Sequence, residues 1–351
     1  MLKKLLLALA LLTAILAAAA YLAGGWLLGA GTRAALPRLG DIASRGGLEI
    51  VRCDFAAASV RPLANLSWRE WRLAVRRTIG ANQTEATEPL ALRIDSIRVT
   101  CTDWAPLVAD IEVAGAALET PFFPSAPAGL PFASNEYGVA VERIDDGFLR
   151  IAGLTVEHDP RSTLAALAGD LRNLAHEGRI TRPLELGARL HFQLEGRPLT
   201  VRLETERRNG VTVLRFNASD IAELSRRQTR PLSAAEQEIL CDHPQRALLL
   251  LRIKEYAERL SQRLARIDKA YGEDFTRHVL WSYWLTRTFG ADFAQIVTDA
   301  HEAGATGNTA ADHRQDSANN MVGRTYALAK KSEGQVLRLL KTDPQVVRVA
   351  K

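Results

Sequence analysis

The sequence predicts an α+β protein in three parts: an N-terminal transmembrane helix, a β-rich exported domain with one packed helix, and an all-α C-terminal domain. Three observations predict it. Leu5–Thr32 carries no charged residue; residues from about 46 to 225 alternate polar and apolar with period two; and the apolar residues beyond Arg230 recur every three or four positions. The parts run over residues 1–32, 33–230 and 231–351. The chain of 351 residues is 47% hydrophobic and 24% charged, enough apolar side chain for a core, which excludes a disordered or collagen-like chain. Its net charge of +5 comes from arginines scattered among acids, so nucleic acid is not an expected partner.

The apolar run exceeds the roughly 20 residues that span a bilayer core, so residues 5–28 predict a membrane partner. Lys3 and Lys4 favour keeping the N-terminus in the cytoplasm. Leu5–Leu16 followed by Ala17–Ala20 also fits the core and cleavage zone of a signal peptide. The run continues, however, through Tyr21, Leu22, Trp26, Leu27 and Leu28, which favours an uncleaved anchor. Either way the chain after Arg33 is exported. Cys53 and Cys101 sit on the apolar side of alternating stretches; in an oxidising compartment they could form a disulfide, or they are two small buried hydrophobes. Cys241 is expected to be buried.

In the middle region Leu48–Phe55, Ile94–Thr102 and Ala109–Ala114 read as strands, and Gly138–Val156 as strand broken by a turn at Asp145-Asp146-Gly147. Leu184–Leu194 turns at Glu195-Gly196-Arg197-Pro198 into Leu199, Val201 and Leu203. Asn209-Gly210 then makes a hairpin into Val211–Phe216, because both residues tolerate positive φ. One helix interrupts: Leu164, Leu167, Leu171 and Leu174 form a stripe, with Ser162 or Thr163 to cap it and Gly178 to stop it. Pro121–Pro131 reads as a loop. An anchor followed by amphipathic strands resembles the short envelope proteins of the AsmA-like group, where a curved sheet can cover lipid. That resemblance implies an envelope lipid as partner; the alternative is an ordinary sheet packed on the Leu164–Leu174 helix.

In the C-terminal region Pro244 opens a long helix along Leu249, Ile253, Tyr256, Leu260, Leu264, Ile267 and Tyr271, ended by Gly272, with a solvated Arg- and Lys-rich outer face. Further helices are expected over Asp274–Phe289, Ala291–Ala303, Ala311–Lys331 and Glu333–Leu340, with Gly304–Thr309 as a loop. Asp274, His278 and Trp281 share one helix face, with Arg277 alongside. On the next helix His301 and Glu302 stand together, and on the one after it Asp316, Asn320 and Arg324 are four-residue neighbours, flanked by Asn319. The three helices are expected to turn these groups towards one interior.

The blocks Asp274-Phe-Thr-Arg277-His278-Val-Leu-Trp281, Asp299-Ala-His301-Glu302 and Asp316-Ser-Ala-Asn319-Asn320-Met-Val-Gly323-Arg324 resemble a bacterial domain of unknown function. Its pattern is D-x-x-R-H-A-x-W, A-H-E and M-D-x-x-N-N-x-x-G-R. It occurs in exported, often toxin-like or repeat-containing proteins, and the resemblance covers roughly residues 240–335. Val279, Gln315 and Ala318 depart from it, the last removing a common His. The resemblance implies a compact helical fold with a shared polar site, and no established reaction. With the anchor it implies a bacterial inner-membrane protein whose bulk is periplasmic.

Three uses of these residues stand side by side. His278, His301 and Asp316, with Glu302, suit a divalent metal such as zinc that activates water for hydrolysis of an envelope substrate. Metal-free acid–base chemistry would use His301 oriented by Asp316 or Glu302. A structural cage would lock the helices, with Asn319 and Asn320 satisfying backbone groups. On the first two uses His278, His301, Glu302 and Asp316 are the candidate catalytic residues. Asp274, Arg277, Trp281, Asn319, Asn320 and Arg324 are the candidate binding residues. No nucleophile elbow, phosphate-binding glycine loop or dinucleotide fingerprint is present. The function expected is a membrane-anchored envelope protein whose polar helical site binds a ligand or a protein partner.

Overall fold

The computed structural model describes residues 28–30, 32–34, 48–61, 65–77, 90–104, 106–119, 141–156, 160–194, 197–227, 231–304 and 309–348. The fold is mixed α and β, with a sheet in the middle of the chain and helices after it. Leu5–Leu27 of the expected anchor, the Pro121–Pro131 loop, the Glu195-Gly196 turn and residues 228–230 at the expected domain boundary lie outside the described residues, as does most of the Gly304–Thr309 loop. Among the described residues no helix is long and apolar enough to cross a membrane. The chain divides into two compact units: most of the sheet with one helix, and a helical unit from Arg215 onward.

The sheet comprises β1 (Leu48–Asp54), β2 (Ala57–Arg61), β3 (Asn65–Arg77), β4 (Leu90–Trp104), β5 (Leu107–Leu118), β6 (Val141–Thr155), β7 (Arg179–Ile180), β8 (Glu185–Leu194), β9 (Arg197–Arg208) and β10 (Val211–Phe216). Their order is β1-β3-β4-β5-β6-β8-β9-β10-β7, with β2 paired to β3. Two strands were hidden in the sequence for a local reason. In β3, Glu70 takes φ 55°, and the pairing with β4 steps from Arg69 to Trp71. The register with β4 is the same on both sides of Glu70, so this is a kink within the strand, and it interrupts the period-two signal between Trp68 and Trp71.

Asp145-Asp146-Gly147 is a bulge within one continuous β6 and not the turn expected. Asp146 has φ 49°, the register against β8 skips between Asp145 and Phe148, and a Cβ on Gly147 would come within 2.7 Å of the Ala116 carbonyl oxygen. Asn209 and Gly210 do take positive φ, 48° and 78°, at the hairpin between β9 and β10.

The cysteines are free thiols. Cys53 lies on β1 opposite Leu73 of β3, which faces Leu92 of β4, nine positions from Cys101 along that strand. With β3 between them, adjacent strands being ~4.8 Å apart, the pair is beyond the ~7 Å limit for a disulfide.

Helix α1 (Pro160–Glu177) starts earlier than the expected Ser162 or Thr163 cap, with proline in the first turn where its missing N–H is not needed. It stops at Gly178, whose φ is 72° and whose N–H bonds to Leu174 O at 3.0 Å. Leu174 is buried with Ile151, Leu154, Ile180, Leu184 and Leu214, and Leu167 and Leu171 pack against that cluster. Elsewhere the sheet unit holds an apolar cavity of about 350 Å³ lined by Leu92, Val113, Leu118, Ile144, Phe148 and Leu186, among others.

The helical unit contains α2 (Ala218–Arg227), α3 (Ala234–Asp242), α4 (Pro244–Ile267), α5 (Glu273–Phe289), α6 (Ala291–Gly304), α7 (Ala310–Leu328) and α8 (Glu333–Thr342). The sequence reading leaves out α2 and α3, although α2 buries Ile221, Leu224 and Ser225 at helical spacing. It also overruns α4: the helix stops at Ile267, which is 73% exposed, because Asp268 takes the Ala270 N–H at 2.9 Å. Arg252, expected on the solvated face of α4, is buried.

Helix α5 is the centre of this unit, with every residue from His278 to Thr286 buried. It meets α7 at Gly323, where a Cβ would collide with the Val279 carbonyl oxygen and lie 2.9 Å from the Tyr283 nitrogen. Ser282 Oγ donates across the same contact to Asn320 O at 2.6 Å. Both obstacles at Gly323 are backbone, so Gly323→Ala must push the helices apart. Thermal unfolding should show a loss of about 1–3 kcal/mol, the usual range for overpacking a core. An unchanged melting temperature would refute the contact.

Candidate functional site

The contact at Gly323 sets the site, because the polar residues stand one to two turns from it on each helix. Asp274 and His278 lie one turn apart on α5, Glu302 near the end of α6, and Asp316 and Asn320 one turn apart on α7. The start of α7 is fixed by a capping box in which Thr309 and Asp312 exchange hydrogen bonds.

His278 is the hub. Only 2% of it is exposed, and its two ring nitrogens face different groups. On the Nε2 side Asp316 Oδ1 lies at 3.4 Å and Asp274 Oδ1 at 3.8 Å. Arg277 Nη2 lies 3.1 Å from the same nitrogen and donates to Asp274 Oδ1 at 2.7 Å. A guanidinium can only donate, so Nε2 accepts and the ring hydrogen sits on Nδ1. Nδ1 faces Glu302 Oε1 at 3.5 Å. Glu302 Oε1 also accepts from Asn320 Nδ2 at 3.0 Å, and Gln315 Nε2 donates to Asp274 Oδ2 at 2.9 Å. Among the described residues His278 Nδ1, Glu302 Oε2 and Asn320 Oδ1 are buried with no close hydrogen-bond partner, His313 Nδ1 lying 3.9 Å from Glu302 Oε2.

Burial dominates the electrostatics. It pushes the His278 pKa down to about 3, helped by the charge of Arg277, so the imidazole is neutral. Burial, with the negative charge of Asp316, pushes Glu302 up to about 7. Burial and then Asp274 push Asp316 up to about 6. Three carboxyl groups thus crowd one neutral imidazole and one guanidinium.

His301 is placed differently from expectation. Its Nδ1 donates to Glu236 Oε1 at 2.8 Å, so neither Asp316 nor Glu302 orients it. Its ring centroid is 6.3 Å from that of His278, and Trp281 packs edge-on against it at 4.9 Å. Asn319 turns away to the C-terminal segment: its Nδ2 donates to Val347 O and its Oδ1 accepts from Val347 N, both at 3.0 Å. Arg324 donates to Thr298 Oγ1 at 3.2 Å. Among the described residues the group able to hold a metal is Asp274, His278 and Asp316, whose ligand atoms lie within 4.8 Å of one another. His301, expected among the metal ligands, stands outside it.

These helices carry a family match. Residues 237–345 match the model described as Domain of unknown function (DUF6973). The DUF6973 segment runs from α3 through α8 and contains the residues of the cluster, which agrees with the resemblance drawn from the three sequence blocks. No curated protein and no solved structure matches the chain.

Two site residues escaped the sequence reading. Glu236, just ahead of the DUF6973 segment, closes the capping box of α3, its Oε2 accepting from Ser233 N at 2.8 Å, and its other oxygen holds His301. The Ser233-Ala-Ala-Glu236 spacing was the available signal. Gln315 could be read only as a departure from the family pattern, although its amide holds Asp274. Chemically the arrangement offers an acceptor imidazole nitrogen between two carboxylates and a third carboxyl behind the ring.

Proposed function

We propose that the protein is a single-pass bacterial inner-membrane protein, N-terminus in the cytoplasm, whose periplasmic helical domain binds a ligand in the His278 cluster. The tether is supported by the uncharged run Leu5–Thr32 behind Lys3 and Lys4. The ligand reading is carried by one observation. Where three helices meet, Nδ1 of His278, Oε2 of Glu302 and Oδ1 of Asn320 are buried with no close hydrogen-bond partner among the described residues, the nearest groups to the first two being Glu302 Oε1 at 3.5 Å and His313 Nδ1 at 3.9 Å. Groups serving only as a cage would satisfy each other, since each unmade buried bond costs about 1–3 kcal/mol. The spare hydrogen-bonding capacity fits a molecule or ion that arrives later. A membrane-tethered hydrolase acting on an envelope substrate would use the same cluster, with His278, Glu302 and Asp316 in catalytic roles.

A second reading, lipid binding by the β-rich domain, is favoured by the apolar cavity of about 350 Å³, within the ~300–1,000 Å³ of small-molecule sites. Phe148, 38% exposed, is among its lining residues.

Three measurements test these readings. For the cluster, the folded state raises the Glu302 pKa to about 7 above the ordinary carboxyl value. Its protonated form is therefore preferred, and this group's contribution to stability is complete below about pH 4.5 and lost as the pH rises through 7. Glu302→Gln should raise stability at pH 7.5 by about 1–2 kcal/mol and change it little at pH 4.5. A cage residue would give a loss at both. For the tether, full-length protein should partition with membranes, and a chain lacking residues 1–32 should not; the same distribution for both would refute it. For the lipid reading, mass spectrometry of purified protein should find bound lipid that Val113→Glu removes. Lipid retained by that variant would sink the idea.

A further inference from the structure

We infer that Asp274, His278 and Asp316 form a binding site for a divalent first-row metal ion, with Glu302 as the group that positions the His278 ring. This rests on the ligand reading of the cluster, and places the ion on the Nε2 side of the ring, opposite the Nδ1, Glu302 and Asn320 atoms that carried that reading. The donor set is two carboxylate oxygens and one imidazole nitrogen, a combination that suits zinc or manganese and leaves coordination positions for water or substrate.

Two further features point the same way. The first is the division of labour on the ring. Nε2 faces Asp274 and Asp316, whereas Nδ1 faces the Glu302 carboxyl on the opposite side at 3.5 Å. A metal-binding histidine characteristically gives its second N–H to a carboxylate, which fixes the tautomer and makes the other nitrogen a better donor. Glu302 is itself held by Asn320, and Asp274 by Gln315, so the orienting shell reaches across α5, α6 and α7. The second is Arg277. Its Nη2 lies against Asp274 Oδ1 and His278 Nε2 together, so the guanidinium meets two of the three donors that a cation would use. Its side chain is 35% exposed, so it can swing out towards solvent when an ion takes those donors. His301, bound to Glu236, belongs to neither shell.

The test is zinc binding to the purified full chain, by equilibrium dialysis with elemental analysis, alongside a melting curve for each variant. Wild type should hold one zinc per chain. Asp274→Asn and His278→Gln should abolish that binding, Glu302→Gln should weaken it roughly 10–100-fold, and His301→Gln should leave it unchanged. Arg277→Gln should tighten it, because a competing positive charge is gone, and a misfolded protein could not produce that gain. Absence of zinc from wild type, zinc undiminished in His278→Gln, or an affinity unmoved in Arg277→Gln would each overturn the site. If wild type takes no zinc while Glu302→Gln still stabilises the protein at pH 7.5, the metal falls and the ligand reading stands.

Discussion

The backbone contact between α5 and α7 at Gly323 is the constraint on which the helical unit depends. The carbonyl of Val279 and the amide of Tyr283 occupy the space where any side chain at Gly323 would begin. Close approach of two helices brings the side chains on either side of the contact within bonding distance. One turn along α5 stands His278, and on α7 stand Asn320 and Asp316. Ser282 Oγ, bonded to Asn320 O, holds the register. The glycine of the Gly323-Arg324 pair therefore has a packing role, and its neighbour has a separate one on Thr298 of α6.

Around that contact the fold accepts an unfavourable arrangement of charge. Water is removed from His278, Glu302 and Asp316 together, and each responds by moving towards its neutral form. Asp274 is treated differently: it lies partly exposed, with Arg277 and Gln315 on its two oxygens. The cluster thus grades from a buried end at Glu302 and Asn320 to an open end at Asp274 and Arg277. An ion or small polar ligand entering from solvent would meet the open end first.

The helical part was the more legible from sequence. Runs of four- and three-residue spacing between glycines gave α5, α6 and α8 nearly in full, and the three-block pattern located the residues of the cluster. What spacing could not give was direction. His301 and Glu302 are adjacent and differ by about 100° around the helix, and periodicity alone left both facing one interior. The structure turns Glu302 into the cluster and gives His301 to Glu236, more than sixty positions away, a pairing that no local pattern encodes. The sheet was less legible because two of its strands carry a left-handed residue in mid-strand. Glu70 and Asp146 each break the alternation on which strand recognition rests, concealing β3 and making one long β6 look like two strands and a turn.

Glu236 shows how one side chain can tie a helix end to a distant group. One oxygen accepts the Ser233 N–H that completes the capping box of α3, and the other accepts the Nδ1–H of His301. Glutamine also closes capping boxes, so on capping grounds alone the two residues are interchangeable. They are not interchangeable here, because an amide has one acceptor oxygen where a carboxylate has two. A glutamine whose oxygen kept the Ser233 N–H would turn its amide N–H towards His301, which could meet it only by moving its ring hydrogen off Nδ1. The orientation of His301, and with it the edge-on stacking of Trp281, is therefore linked to how firmly the first turn of α3 is wound.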